Sequence, residues 1–251
     1  MFSYPPEIIA LALAAFLIGG FAKGVIGLGL PVVVLAIIAA PMGVANALAV
    51  FVIPAVLANL WQALDGTALR QILARLWPFY LAAAVGVMLG GQLVVFVAEA
   101  VLLTVLGTVL ITYSVLALAS PDLPQPGRHE PWMAPAAALS GGIMFGLVGN
   151  FIVPGILYLQ ALRLPRDVFV QALGVTFIVI SSSLGLSLSS AAVMTTDLAL
   201  LSAACAPLAF LGMALGRRLR KHVSEDVFRK VFLTALILTG VYMIWQSVGK
   251  L

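Results

Sequence analysis

Apolar residues run along this chain in blocks of about twenty, set apart by short polar interruptions, with no two-residue alternation. A helix needs ~20 apolar residues to cross a bilayer. Blocks of that length lie at 44–62, 77–97, 99–119, 168–190, 196–216 and 227–247. Each predicts a transmembrane helix. Two further regions, 7–40 and 132–160, are apolar but too long for one simple span, and glycine and proline cut both. The most polar linker, SPDLPQPGRHEP at 120–131, divides the chain near its middle.

The two halves repeat. GFAKGVIG at 20–27 and GIMFGLVG at 142–149 place Gly20, Gly24 and Gly27 at one constant offset from Gly142, Gly146 and Gly149. Pro31 and Pro154 follow, one position out of register. Small residues four apart are common in membrane helices. The same pattern opening both halves, with three spans after each, points to duplication, a habit of secondary transporters. The expected organisation is a first repeat over 1–119, a linker over 120–131 and a second repeat over 132–251.

Loop charge sets the expected orientation. Of the 13 Lys and Arg, eleven fall at 70, 75, 128, 163, 166 and 217–230, and the other two are Lys23 and Lys250. If each interrupted region enters and leaves on one side, all eleven share the cytoplasmic face. If each crosses once, the split falls to about eight against four. The first arrangement makes the repeats inverted, with both termini outside. As a helix, 7–22 would rise only about 24 Å and 30–40 about 17 Å. The expectation is therefore a re-entrant hairpin in each repeat, with its tip near the midplane. Trp61, Trp77 and Trp132 are expected at the inner interface and Trp245 at the outer one.

Composition strengthens this picture. Of 251 residues, 63% are hydrophobic and only 9% charged, against roughly 25% charged in soluble domains. Mean hydropathy is +1.18. The fold class read here is an all-α polytopic membrane protein of two inverted-topology repeats, each a broken or re-entrant hairpin plus three transmembrane helices. A β-barrel is excluded by the missing alternation. The net charge of +4 comes from short loops, so nucleic acid is not an expected partner. With no basic residue before Lys23, the first 22 residues do not read as a cleaved signal. One cysteine, Cys205, gives no disulfide or thiolate metal site.

Lys23 is the one charge placed deep in the membrane, where charge is expensive and usually functional. It reads as an anion-binding group at the first tip, with snorkelling to an interface as the plainer alternative. Helices restarting near Leu28–Leu30 and Asn150–Ile152 would aim N–H groups and positive dipole ends at an anion. The expected substrate-binding set is Lys23, Gly24, Gly27, Gly29, Asn46, Gly146, Gly149, Asn150, Gln171 and Thr176, with Pro31 and Pro154 at the helix breaks. The glycines serve close helix packing equally well. Asn46 and Gln171, in ANALAV and VQALGV, could as readily bridge helices. Ser181–Ser183 rank lower because such hydroxyls often bond their own helix. The nine carboxylates all fall at segment ends or in loops, so no proton carrier sits mid-span. No cofactor, metal site or catalytic pair is expected. The run RRLRKH at 217–222 reads as a topology anchor, with lipid head-group contact second.

The stretches GGFAKGVIGLGLPVVVL, PMGVANALAVFVIPAVLANL and GGIMFGLVGNFIVPGILYL resemble the sulfite exporter family of TauE/SafE type, also called the toluene-sulfonate uptake permeases. The resemblance covers essentially the whole chain, including Asn46 after Pro41. Where relatives often carry a run of glycines, this chain has GLGLP; where they often carry a small polar or basic residue, it has Gln171. The resemblance implies transport of small sulfur-containing or organic anions such as sulfite or sulfonates, and a multi-pass place in a bacterial-type inner membrane. Sulfur chemistry rests on the resemblance alone. The residues by themselves support an anion carrier; the alternative is a non-transporting or partner-binding membrane subunit, and less readily a membrane enzyme.

Overall fold

The structure is a computed structural model that describes residues 4–26, 29–64, 66–119, 124–219 and 225–248; the side chains of Ile26, Trp61 and 225–229 lie outside the description. Every regular element among the described residues is helical. The helices are α1 (Pro6–Ile26), α2 (Leu30–Met42), α3 (Val44–Leu64), α4 (Leu69–Leu93), α5 (Glu99–Ala119), α6 (Glu130–Val148), α7 (Leu157–Ala161), α8 (Arg166–Ser190), α9 (Thr196–Leu219) and α10 (Glu225–Val248). A 3₁₀ turn over Gly127–His129 leads into α6, and a wide π-type turn over Ile152–Ile156 leads into α7. The all-helical, polytopic class expected from the apolar blocks is what the chain adopts, with eight helices long and apolar enough to cross a membrane.

Two expectations about length change. The apolar helix at the start is α1, 21 residues reaching Ile26, not a fragment ending near residue 22. It rises about 32 Å, enough for a full crossing. The glycines at 19, 20 and 24 do not end it, because a Gly inside a helix costs only about 1 kcal/mol relative to Ala. Its counterpart α6 is likewise near full length. Only the second arms, α2 with 13 residues and α7 with 5, are short. The other change is that Arg70 and Arg75 lie in the first turns of α4, not in a loop. Leu, Arg, Gln and Ala propagate a helix well, and nothing between Leu69 and Trp77 breaks one.

Both interrupted regions break where the glycines and prolines fall. Gly29 has φ 110° and precedes α2, with Pro31 in its first turn, where a missing N–H costs nothing. Gly149 caps α6 with φ 71° and ψ 17°, its N–H donating to the Phe145 carbonyl, a left-handed closure natural to glycine. Val153, just before Pro154, is extended at φ −109° and ψ 120°, as a residue preceding proline prefers. The two breaks are thus built differently: Pro31 starts a regular helix, whereas Pro154 sits inside a distorted turn.

The chain divides into two compact units: residues 1–54, 97–121 and 193–251 in the first, 55–96 and 122–192 in the second. Each unit draws on both sequence halves. In the first, α1 packs on α9 and α2, and α5 packs on α10. Side chains are excluded from the α1–α9 crossing. A Cβ on Gly20 or Gly24 would strike the Ala209 or Met213 carbonyl, and one on Gly212 or Gly216 would strike the backbone at Leu17 or Phe21. In the second unit α4 packs on α6 and α8. There Gly86 and Gly90 of α4 face the backbone of α6 at Leu139 and Ile143, and Gly142 and Gly146 of α6 face Ala83 and Val87. One interlock is therefore built twice: the helix that opens each half packs on the matching helix of the other half.

Helix α3 passes from the first unit to the second at Pro54. Proline has no N–H for the carbonyl four residues back. Ser202 of α9, fully buried, repairs the gap: its hydroxyl donates to the Val50 carbonyl at 2.7 Å and accepts the Ile53 N–H at 3.2 Å. Of the candidate spans, α3 and α8 are the most enclosed, 65% and 61% buried against 50% or less for the rest. These two helices also carry Asn46, Asn59, Gln171, Thr176 and Ser181.

Candidate functional site at the helix breaks

Lys23 lies in the last turn of α1 and is 8% exposed. That position places a cation at the negative end of the helix dipole. The fixed offset between halves pairs Lys23 with Phe145, which is fully buried in the last turn of α6. It also pairs Leu28 with Asn150. Each break therefore carries one polar residue that the other replaces with an apolar one. Gly27 and Leu28 lie outside the described residues.

Asn150 is the most informative residue of the second break. Its Oδ1 accepts the Ile152 N–H at 2.9 Å, which orients the amide and holds the turn. Its Nδ2 is buried and has no hydrogen-bond partner among the described residues, in a side chain only 3% exposed. A buried donor without an acceptor costs about 1–3 kcal/mol. Aromatic rings line the neighbourhood. Phe151 meets Phe145 and Phe79 edge-on at centroid distances of 6.4 and 5.9 Å, and Tyr158 stacks on Phe79 at 5.6 Å. Phe177, next to Thr176, meets Phe145 at 6.5 Å. The hydroxyls of Tyr158 and Ser181 are buried and, among the described residues, unpartnered too, whereas that of Tyr80 faces Thr176. The second unit thus holds several unused donors within an apolar wall. Tyr80 and Tyr158 escape sequence reasoning because a tyrosine in an apolar block reads as core or interface belt.

The remaining expected site residues have identifiable partners. Gln171 spends both ends of its amide on the α3–α4 connection: Oε1 accepts the Ala68 N–H at 3.0 Å and Nε2 donates to the Ala63 carbonyl at 2.9 Å. Asn46 donates from Nδ2 to the Met42 carbonyl at 2.9 Å, tying the start of α3 to the end of α2. Thr176 donates to the Ala172 carbonyl of its own helix at 2.8 Å. Gly24 and Gly146 lie in the two helix crossings described above, while Gly29 and Gly149 supply the positive-φ turns. Gly146, Gly149, Asn150, Pro154, Gln171 and Thr176 belong to the second unit; Lys23, Gly24, Gly29, Pro31 and Asn46 belong to the first.

The acidic residues follow one rule. Glu7, Glu99, Glu130, Asp167 and Asp197 each occupy a first helical turn, where the dipole favours negative charge. Glu99 also accepts the Val44 N–H at 3.0 Å and so caps α3. Asp65 and Asp122 lie outside the described residues. No cluster of His, Cys, Asp and Glu suited to a metal exists among the described residues.

A family model described as sulfite exporter TauE/SafE matches residues 11–243, from the middle of α1 to the last turns of α10. The chain belongs to this family. No curated protein and no solved structure matches it. Both helix breaks, both glycine crossings and the polar helices α3 and α8 lie inside the matched stretch. As a TauE/SafE member the chain is a multi-pass membrane protein of an anion-exporter type of transporter family.

Proposed function

We propose that this TauE/SafE member is a secondary transporter that exports a small sulfur-containing or organic anion, such as sulfite or a sulfonate, by alternating access. The observation that carries the reading is the Asn150 amide: its oxygen is committed to the turn while its nitrogen, buried, has no acceptor among the described residues. A transient anion supplies that acceptor. On this reading Lys23 is the cationic group of the first break, and the Asn150 amide and the Tyr158 hydroxyl are neutral donors of the second. With the cell interior negative, expelling one negative charge gains about 2.3 kcal/mol per 100 mV. Export then needs no proton carrier, which agrees with carboxylates held in first helical turns. The protein resides in a bacterial-type inner membrane with both termini outside.

The test is anion flux into and out of proteoliposomes holding the purified full-length protein. Sulfonates are the cleaner probe because they stay ionised. Flux should follow an imposed membrane potential and persist with the proton gradient collapsed. Flux that follows only the proton gradient would refute voltage-driven export. No flux of any sulfonate or sulfite above that of empty vesicles would favour a non-transporting subunit.

A further inference from the structure

Beyond transport, the second unit carries a groove that the reading above does not use. It has a volume of about 450 Å³ and lies where α4 and α6 begin, lined by Arg75, Pro78, Gly127, Arg128, Glu130 and Ala134 among others. We propose that this groove is a binding site for the phosphate head group of an anionic phospholipid, with Arg128 as its principal cation.

Charge in the groove is lopsided once its ion pair is removed from the count. Arg75 and Glu130 form a bidentate pair, Nε to Oε1 at 3.0 Å and Nη2 to Oε2 at 2.9 Å. Both acceptor oxygens of the one acidic residue are thereby engaged. Arg128 is exposed, and its one hydrogen bond among the described residues runs from Nε to the His129 ring at a long 3.4 Å. Its terminal nitrogens have no acceptor among the described residues, and a guanidinium edge matches a phosphate. The first turn of α6, which lines the groove with Glu130 and Pro131, adds a positive dipole end, and its N-cap residue His129 makes no side-chain cap.

The surroundings select a lipid over a soluble anion. Trp77 on α4 and Trp132 on α6 are sequence neighbours of groove-lining residues and are 61% and 60% exposed. Indole rings left outward at the ends of spanning helices sit at head-group level. Farther along the same helices Leu81, Val85 and Leu139 stay exposed, a surface suited to acyl chains. Basic pockets between helices at a membrane surface hold anionic head groups for this combination of reasons.

The test uses the intact protein in mild detergent, titrated with dioleoyl phosphatidylglycerol, dioleoyl phosphatidylcholine or inorganic phosphate. Thermal unfolding and native mass spectrometry read the binding. Phosphatidylglycerol should raise the unfolding midpoint and remain bound, whereas phosphatidylcholine and phosphate should do neither. Arg128→Gln should weaken phosphatidylglycerol about fivefold, the equivalent of ~1 kcal/mol per basic residue near a membrane surface. Arg128→Lys, which retains the charge, should lose no more than about half that effect in free energy. Arg163→Gln, an exposed charge outside the groove, should change nothing. Equal losses at Arg128 and Arg163 would reduce the effect to diffuse surface charge and overturn the proposal. Equal stabilisation by inorganic phosphate would overturn it in favour of a soluble-anion site.

Discussion

On the proposed reading Lys23 and Asn150 do different jobs, at places the repeat offset does not match to each other. Lys23 offers a point charge in the last turn of α1; Asn150 offers one donor while its oxygen holds a turn. Asn150→Asp separates the two uses. The Asp carboxylate still accepts the Ile152 N–H, so unfolding should shift little. The donor is lost and a negative charge faces the substrate. A hydrogen bond to a charged partner contributes about 1.5–3 kcal/mol, so sulfonate flux should fall at least tenfold. Asn150→Ala should lose flux and also about 1 kcal/mol of stability with the turn hydrogen bond to the Ile152 N–H. Lys23→Ala and Lys23→Gln should abolish flux with folding intact, and Lys23→Arg should retain part with altered selectivity, since a planar fork replaces a point charge. Normal sulfonate flux in both Asn150→Asp and Lys23→Ala proteoliposomes would remove the proposed site.

Among the elements, α3 shows how a break is made tolerable in a membrane. Pro54 leaves the Val50 carbonyl without its helical donor, and water cannot replace it in the hydrocarbon core. Ser202 supplies the missing bond from α9. Ser202→Ala should therefore destabilise the protein by about 1–3 kcal/mol, the cost of an orphaned buried polar group. Pro54→Ala restores the N–H within α3. The double variant should then lose much less than Ser202→Ala alone, and thermal unfolding of the four proteins gives the coupling directly. If the two effects simply add, Ser202 is not repairing the proline gap.

Across the whole molecule, the interlock of α1 with α9 recurs as α6 with α4, so each compact unit is assembled from both halves of the sequence. Topology is the prediction that belongs here. With eleven basic residues on one face, the 124–129 segment should label from the cytoplasm and the end of α10 from outside. Single cysteines placed there, with the one native cysteine, buried Cys205, replaced, would report the sides by membrane-impermeant reagents. Both positions labelling from the same side would replace inverted repeats with parallel ones.

The sequence by itself determined the class of the protein, six of its apolar spans and the places where two regions break, because these depend on local composition. Twenty apolar residues, a glycine at positive φ and a proline without an N–H act through the chain nearest them. The duplicated Gly20–Gly24 and Gly142–Gly146 pairs were legible for the same reason, but not what they pack against. Only the tertiary structure decided that they meet α9 and α4, that Gln171 and Asn46 hold backbone groups, and that Tyr158 and Asn150 keep donors unused among the described residues, beside a cluster of aromatic rings. Those facts depend on which side chains from distant segments come within hydrogen-bond reach. Spacing along the chain does not encode that reach; helix packing sets it.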